Sequence, residues 1–429
     1  MKTISKKKKL LFIQLNELNL ELVQKYSNNI NFKFFNKNFF EKLLVTDSET
    51  NYDLLEPWIQ WASVYTGKTA KEHNIFRLGD IEKYNGTSMF NVIEELNKSV
   101  GIICSMNLKN NLKKPKYFLS DPWTKTLSGP SKIIQFISNT ISKAVNMNSH
   151  SSMSITLYFR ILAVLLITFR FKNIFLYLKL IFNIKKKWNK ALLLDLILHD
   201  LHLNLIKKHK TDFSCIFLNA GAHIQHHYFL NSKYSNNKGL KNPEWYVEKK
   251  HDPLLDAIFF YDNILSDYRT LNDYELVLAT GLSQKPYDRL KFYYRLKDHG
   301  DFLKKLDINF LKVEPRMTRD FLISFNNKEE KKQAIKKLKN FNDINKLEIF
   351  SLEDRDNSIF VTLLLNRDIN DYGEIIIENQ KNILFKDHVV FVALKNGMHE
   401  AKGYFYSNFN TNIKNIFQIN KEIIGFFNK

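Results

Sequence analysis

Three short runs constrain the fold most. "LLFIQLNELN" (10–19), "DFSCIFLNAGAH" (212–223) and "YELVLATG" (274–281) each open apolar and close on polar residues. A run that is apolar on both faces belongs to a strand covered on both sides. Polar groups at the carboxyl ends of such strands are where open α/β sheets place their ligands. Between the runs, "SMFNVIEELNKS" (88–99) and "DPLLDAIFFYDNILSDYRTL" (252–271) have apolar residues at helical spacing, and "VGIICSM" (100–106) reads as another strand. The expected fold is therefore α/β, with a mostly parallel central sheet flanked by helices and a site along one edge.

Two segments break the alternation. Residues 318–366 read as strand, charged helix, strand, strand, a small α+β insertion and candidate lid. Residues 154–188, "SITLYFRILAVLLITFRFKNIFLYLKLIFNIKKKW", are the most apolar stretch, but Arg160, Arg170, Lys172 and Lys179 interrupt it. No uncharged run reaches the ~18–20 residues of a spanning helix. Amphipathic helices in a membrane interface, or a hairpin packed on the core or on a partner, both fit. The expected organisation is a core of residues 1–110, 200–317 and 367–429, a helical, basic amphipathic insertion over 111–199, and the 318–366 insertion.

Charge narrows the partners. The net charge is +20, yet no RNP motif, zinc finger or glycine-rich RNA loop is present, so nucleic acid is not the expected partner. An anionic membrane surface or an anionic small substrate accounts for the excess, as do plainly solvated lysines. Cys104 and Cys215 lie alone in apolar runs, which gives no disulfide framework and fits a reducing compartment. The start, "MKTISKKKKLLFIQLNELNLEL", has the basic run of a signal peptide, but Gln14, Asn16 and Glu17 cut its apolar core. Leu10–Leu15 is read as a buried strand, and the expected place is the cytoplasm or the inner face of a membrane.

"EPWIQWASVYTGKTAKEHNI" (56–75) combines an acid, two tryptophans, an amide, hydroxyls, a Thr-Gly pair and a histidine. With "IQLNELN", "LNAGAHIQHHY", "VLATGLSQ" and "KNGMHEAKG" in that order, the chain resembles the alkaline phosphatase superfamily, in particular its phosphodiesterase/nucleotide pyrophosphatase and sulfatase-like branches. The resemblance spares residues 110–200 and 318–366. It implies hydrolysis or transfer of an anionic ester at a two-metal centre. The departures fall on that centre. The first metal-binding Asp becomes Asn16, beside Glu17. The nucleophile position falls on Pro57, which cannot attack. The Asp…His pair becomes Asn219 and His223, the Asp-His-Gly step becomes Ala279-Thr280-Gly281, and the final His is His399, followed by Glu400. Two dications need several carboxylates, which amides and alanine do not supply. One zinc or manganese ion on Glu17 or Glu56 with His223 and His399, or no ion, is what these groups leave feasible.

Glu17, Glu56, His223 and His399 are the expected catalytic groups. Asn16, Gln60, Trp61, Asn219, His227, Thr280, Gln284 and Glu400 are the expected substrate contacts, with His226 nearby. Trp61 also fits a core position, and Glu56, before a proline, also fits a helix cap. Three readings remain open. One is an enzyme acting on a phosphorylated or sulfated glycan or lipid precursor, or a nucleotide-like substrate. The others are a non-catalytic ligand-binding protein and a membrane-surface scaffold carried by 154–188.

Overall fold

The computed structural model describes residues 9–147, 154–235, 239–316, 319–340, 348–371, 375–377, 381–383 and 385–428. The chain forms two compact units, Met1–Pro286 with Gly397–Lys429, and Tyr287–Asn396.

The first unit is built on a seven-stranded sheet. Its strands are β1 (Lys9–Leu15), β2 (Leu43–Asp47), β3 (Val100–Ile103), β4 (Tyr117–Leu119), β5 (Phe213–Leu218), β6 (Tyr274–Ala279) and β7 (Lys402–Ser407), in the spatial order β2-β7-β6-β1-β5-β3-β4. β1 pairs parallel with β5 and β6, and β3 pairs parallel with β4 and β5. β7 alone runs antiparallel, between β2 and β6. The central strands are apolar on both faces because helices cover both; Phe12, Ile13, Cys215, Ile216 and Val277 have no exposed surface. The parallel register Leu15↔Leu218 and Gln14↔Ala279 brings the ends of β1, β5 and β6 to one edge. The antiparallel β7 starts at that same edge.

The segment expected to be helical over 111–199 also supplies β4, which extends the sheet. Its helices are Lys132–Met147, Ile155–Thr168 and Ile174–Phe182. The next helix, Asn189–His209, is continuous across the expected boundary at 199 and buries Leu192, Leu196 and Leu203, so packing leaves no break there. The strand–helix–strand–strand set expected over 318–366 lies in the second unit. Its antiparallel sheet takes the order Phe350–Arg355, Ser358–Leu363, Asp320–Ser324, Lys312–Pro315, and the helix Lys328–Lys339 buries Ala334 and Leu338. The unit extends beyond those residues at both ends, to Tyr287 and Asn396.

The Pro57–Thr66 helix starts with Pro57 in its first turn, where a missing N–H costs nothing. It stops at Gly67, whose φ of 67° is the left-handed cap that glycine adopts without strain. Behind it, His73 is buried. Its Nδ1 accepts the Ile75 N–H at 3.0 Å, so the ring proton sits on Nε2, 2.9 Å from Ser63 Oγ. Burial lowers the His73 pKa from 6.5 to about 4. Between those values the unfolded chain takes up a proton that the folded chain refuses. Stability is therefore fully present above pH 6.5 and falls as the pH drops towards 4. The contribution at stake is on the order of 1–2 kcal/mol, discounted for partial screening. Urea titrations at the two ends of this window should show a smaller pH-dependent loss for His73→Gln than for the natural chain. Equal losses would remove His73 from the acid sensitivity.

Candidate active site

The site is assembled from strand ends. β1 ends at Leu15, and Asn16 and Glu17 follow. Glu17 takes a left-handed backbone with φ 56°, unusual for a residue with a Cβ and costing about 1–2 kcal/mol. Its N–H donates to Thr280 O at 3.0 Å, and its C=O accepts from Gln225 Nε2 at 2.7 Å. Such strain persists where surrounding bonds over-determine it, and functional sites are where it collects.

The Glu17 carboxylate is 2% exposed and fully engaged. Oε1 accepts from Asn16 Nδ2 at 2.9 Å, and Oε2 accepts from Gln284 Nε2 at 2.6 Å. His226 Nε2 lies 3.0 Å and His399 Nε2 3.1 Å from the same Oε2. Burial alone would raise the Glu17 pKa. The charges and hydrogen bonds of His399 and His226 outweigh it and hold the carboxyl well below the usual carboxylate range. Glu17 is thus a fixed negative charge that orients two imidazoles. His399 also approaches Glu56, with Nδ1 3.8 Å from Oε2. Glu56 occupies the N-cap of the Pro57–Thr66 helix without a capping bond from its side chain.

His226 comes from the Ala220–Tyr228 helix, which begins directly after β5. Asn219 stands at its N-cap, yet the cap is supplied from elsewhere. Asp195 accepts from Asn219 N at 3.2 Å and Ala220 N at 2.9 Å, and Tyr261 Oη donates to it at 2.8 Å. Burial raises the Asp195 pKa to about 6 against those donors. With the cap provided, the Asn219 side chain faces the site and accepts from Asn16 Nδ2 at 2.8 Å.

Among the described residues one group could hold a metal ion. Glu17, His226 and His399 each offer a ligand atom, all within 4.8 Å of one another. His223 is not in this group. It lies three residues before His226 on the same helix. Its ring packs edge-on against His227 at 4.7 Å. Burial and the neighbouring His226 lower its pKa to about 4, so it is a neutral imidazole beside the cluster.

Five expected substrate contacts, Asn16, Gln60, Trp61, Thr280 and Gln284, are buried. Trp61 is fully buried among Phe12, Tyr65 and Phe217, and its Nε1 donates to Asn16 Oδ1 at 2.8 Å. That bond sets the Asn16 amide so that its nitrogen faces Glu17 and Asn219. Gln60 is buried; it accepts from Glu49 N at 3.1 Å and donates to Leu54 O at 2.7 Å, pinning the loop before Glu56. Thr280 Oγ1 accepts from Tyr404 N at 2.9 Å and locks β6 to β7. Gln284 is likewise buried but bonds Glu17 directly. Half-buried surface is left to His223, His226, His227, Asn219, Glu56, His399 and Glu400. Asp195 and Gln225 had no signal in the sequence. Asp195 sits inside a helix of the expected insertion, and Gln225 reads as a spacer between histidines.

No family model matches the sequence, and no curated protein matches it. Among solved structures it is similar to phosphonoacetate hydrolase from Sinorhizobium meliloti 1021 in complex with phosphonoformate, at 9% identity and a TM-score of 0.45, covering 98% of this chain and 96% of that one. Murine ectonucleotide pyrophosphatase/phosphodiesterase 5 follows at 10% identity and a TM-score of 0.42, covering 98% and 95%. The wild-type alkaline phosphatase PafA gives 10% and 0.43, covering 99% and 96%.

Proposed function

We propose that the chain hydrolyses or transfers an anionic ester at the cluster formed by Glu17, His226 and His399. One observation carries the reading: two imidazoles from separate elements converge on one buried, ionised carboxylate, with a second carboxylate, Glu56, beside them. A carboxylate oxygen and two imidazole nitrogens within 4.8 Å are a donor set that suits zinc or manganese. Such an ion would polarise the ester and lower the pKa of a bound water. The chain's own groups do the rest. Glu17 fixes both Nε2 atoms. Glu56, with 37% of its side chain exposed, is placed to take a proton from a water or an acceptor hydroxyl. The substrate class is a phosphorylated or sulfated glycan or lipid precursor, or a nucleotide-like molecule.

A second reading, binding without turnover, draws support from Pro57. It stands at the first turn of its helix, where the resemblance calls for a Thr or Ser. Assays of aryl phosphate mono- and diesters and aryl sulfates, with and without added zinc or manganese, separate the two. Metal-stimulated turnover of one substrate class, with one ion per chain by metal analysis, is the expected result. Saturable calorimetric binding of AMP without turnover selects the second reading. Neither turnover nor binding removes both, and two tightly held ions per chain overturn the single-ion site.

A further inference from the structure

The helices Ile155–Thr168 and Ile174–Phe182 are apolar on both faces. Their inner faces bury Leu157, Val164, Tyr177 and Leu180. Among the described residues nothing covers their outer faces. Of the 23 exposed large apolar residues among the described residues, 13 fall between Ile155 and Ile184, which makes one patch rather than scatter. Phe159 is 68% exposed, Phe175 82% and Phe182 80%.

The two helices meet at 114°, and no single helix among the described residues is long and apolar enough to cross a membrane. The corner is pinned from within. Arg170 bonds Asp267 at 2.9 Å and lies 3.7 Å from Asp200, Asn173 donates to Asp200, and Lys172 pairs with Asp267. Straightening the pair would strip buried carboxylates of their partners, which is costly. The bent pair therefore holds its outer apolar face open as a fixed surface.

Charge identifies what covers it. From Pro122 to Leu194 the sequence has 11 Lys and Arg and no Asp or Glu. Lys179 lies among the exposed apolar residues, and Lys185, Lys187 and Lys190 follow them, all exposed. A second copy of the chain would set these cations against each other. A bilayer with anionic headgroups matches both features, taking the phenylalanines below the headgroups and pairing the lysines at their level. We propose that this face lies in the interface of an anionic membrane, as a peripheral anchor that spans nothing.

Vesicle flotation of the full chain tests it, with phosphatidylcholine alone and with about one third phosphatidylglycerol. The expected result is preference for the anionic vesicles, lost at high salt, with apparent affinity reduced roughly tenfold or more in both Phe175→Glu/Phe182→Glu and Lys185→Glu/Lys187→Glu. These positions are exposed, so thermal melting should be unchanged and will confirm folding. Phe175→Trp should show a blue-shifted emission on anionic vesicles. No flotation, or flotation indifferent to the phenylalanine pair, overturns the proposal. So does an oligomer that Phe175→Glu/Phe182→Glu dissolves without any vesicle binding, which would assign the face to a second copy.

Discussion

Glu17→Gln and His399→Ala should each lower turnover of the anionic ester by about 10–100-fold or more, the scale on which losing a group that holds or orients a metal site acts. The two should fail differently. Glu17→Gln keeps the shape but removes the charge that holds His226 and His399 at 3.0 and 3.1 Å. An amide nitrogen would also face the Gln284 donor that now sits 2.6 Å from Oε2. Leaving a buried donor without an acceptor costs about 1–3 kcal/mol, so this variant should also melt earlier. His399 is only half-buried, and its loss leaves Glu17 with His226, Asn16 and Gln284. His399→Ala should therefore keep nearly the native melting temperature while losing turnover and metal content. The measurements are kcat, bound metal and thermal midpoint on the same preparations. A His399→Ala protein with native kcat would dismiss the site.

The edge of the sheet was legible because each central strand announces its own end. In "LLFIQLNELN" the apolar run fills a strand buried on both faces, and the first residues past it must face the ligand edge. The same logic located Asn219 and Thr280. Depth along a helix was not legible. His223, His226 and His227 share one short helix, and spacing alone offers each of them to the site. Which one meets Glu17 depends on the left-handed turn at Glu17 and on the register Leu15↔Leu218. Neither is written in the local pattern. Trp61, Gln60 and Thr280 are buried. They bond the backbone or the groups behind the site, because a polar atom on a buried side chain must find a partner wherever the packing puts it. Asp195 was invisible for a related reason. It caps a helix 25 residues further along the chain, through a contact that no sequence window spans.

Gly397→Ala should lower kcat by about tenfold or more and cost roughly 1–3 kcal/mol of stability, as overpacking in a filled site does. Its backbone is not left-handed, so the need for glycine here is one of space. A Cβ at 397 would lie 2.1 Å from Gln284 Oε1 and 2.8 Å from the Gln225 carbonyl oxygen. Those two glutamines hold Glu17, Gln284 at the carboxylate and Gln225 at the backbone oxygen. The Gln284 amide can swing away, but only by giving up its bond to Glu17. The Gln225 carbonyl is part of the helix that carries His226 and moves only with it. Either relief loosens the carboxylate on which both imidazoles converge, so the loss should appear in kcat and metal affinity as well as in melting. Gln284→Ala should reproduce part of it. The double variant Gly397→Ala/Gln284→Ala should lose less than the sum of the singles, because both withdraw the same hydrogen bond. Additive losses, or a melting change with native kcat and native metal affinity, would mean that Gly397 serves packing alone and that Gln284 does not position Glu17.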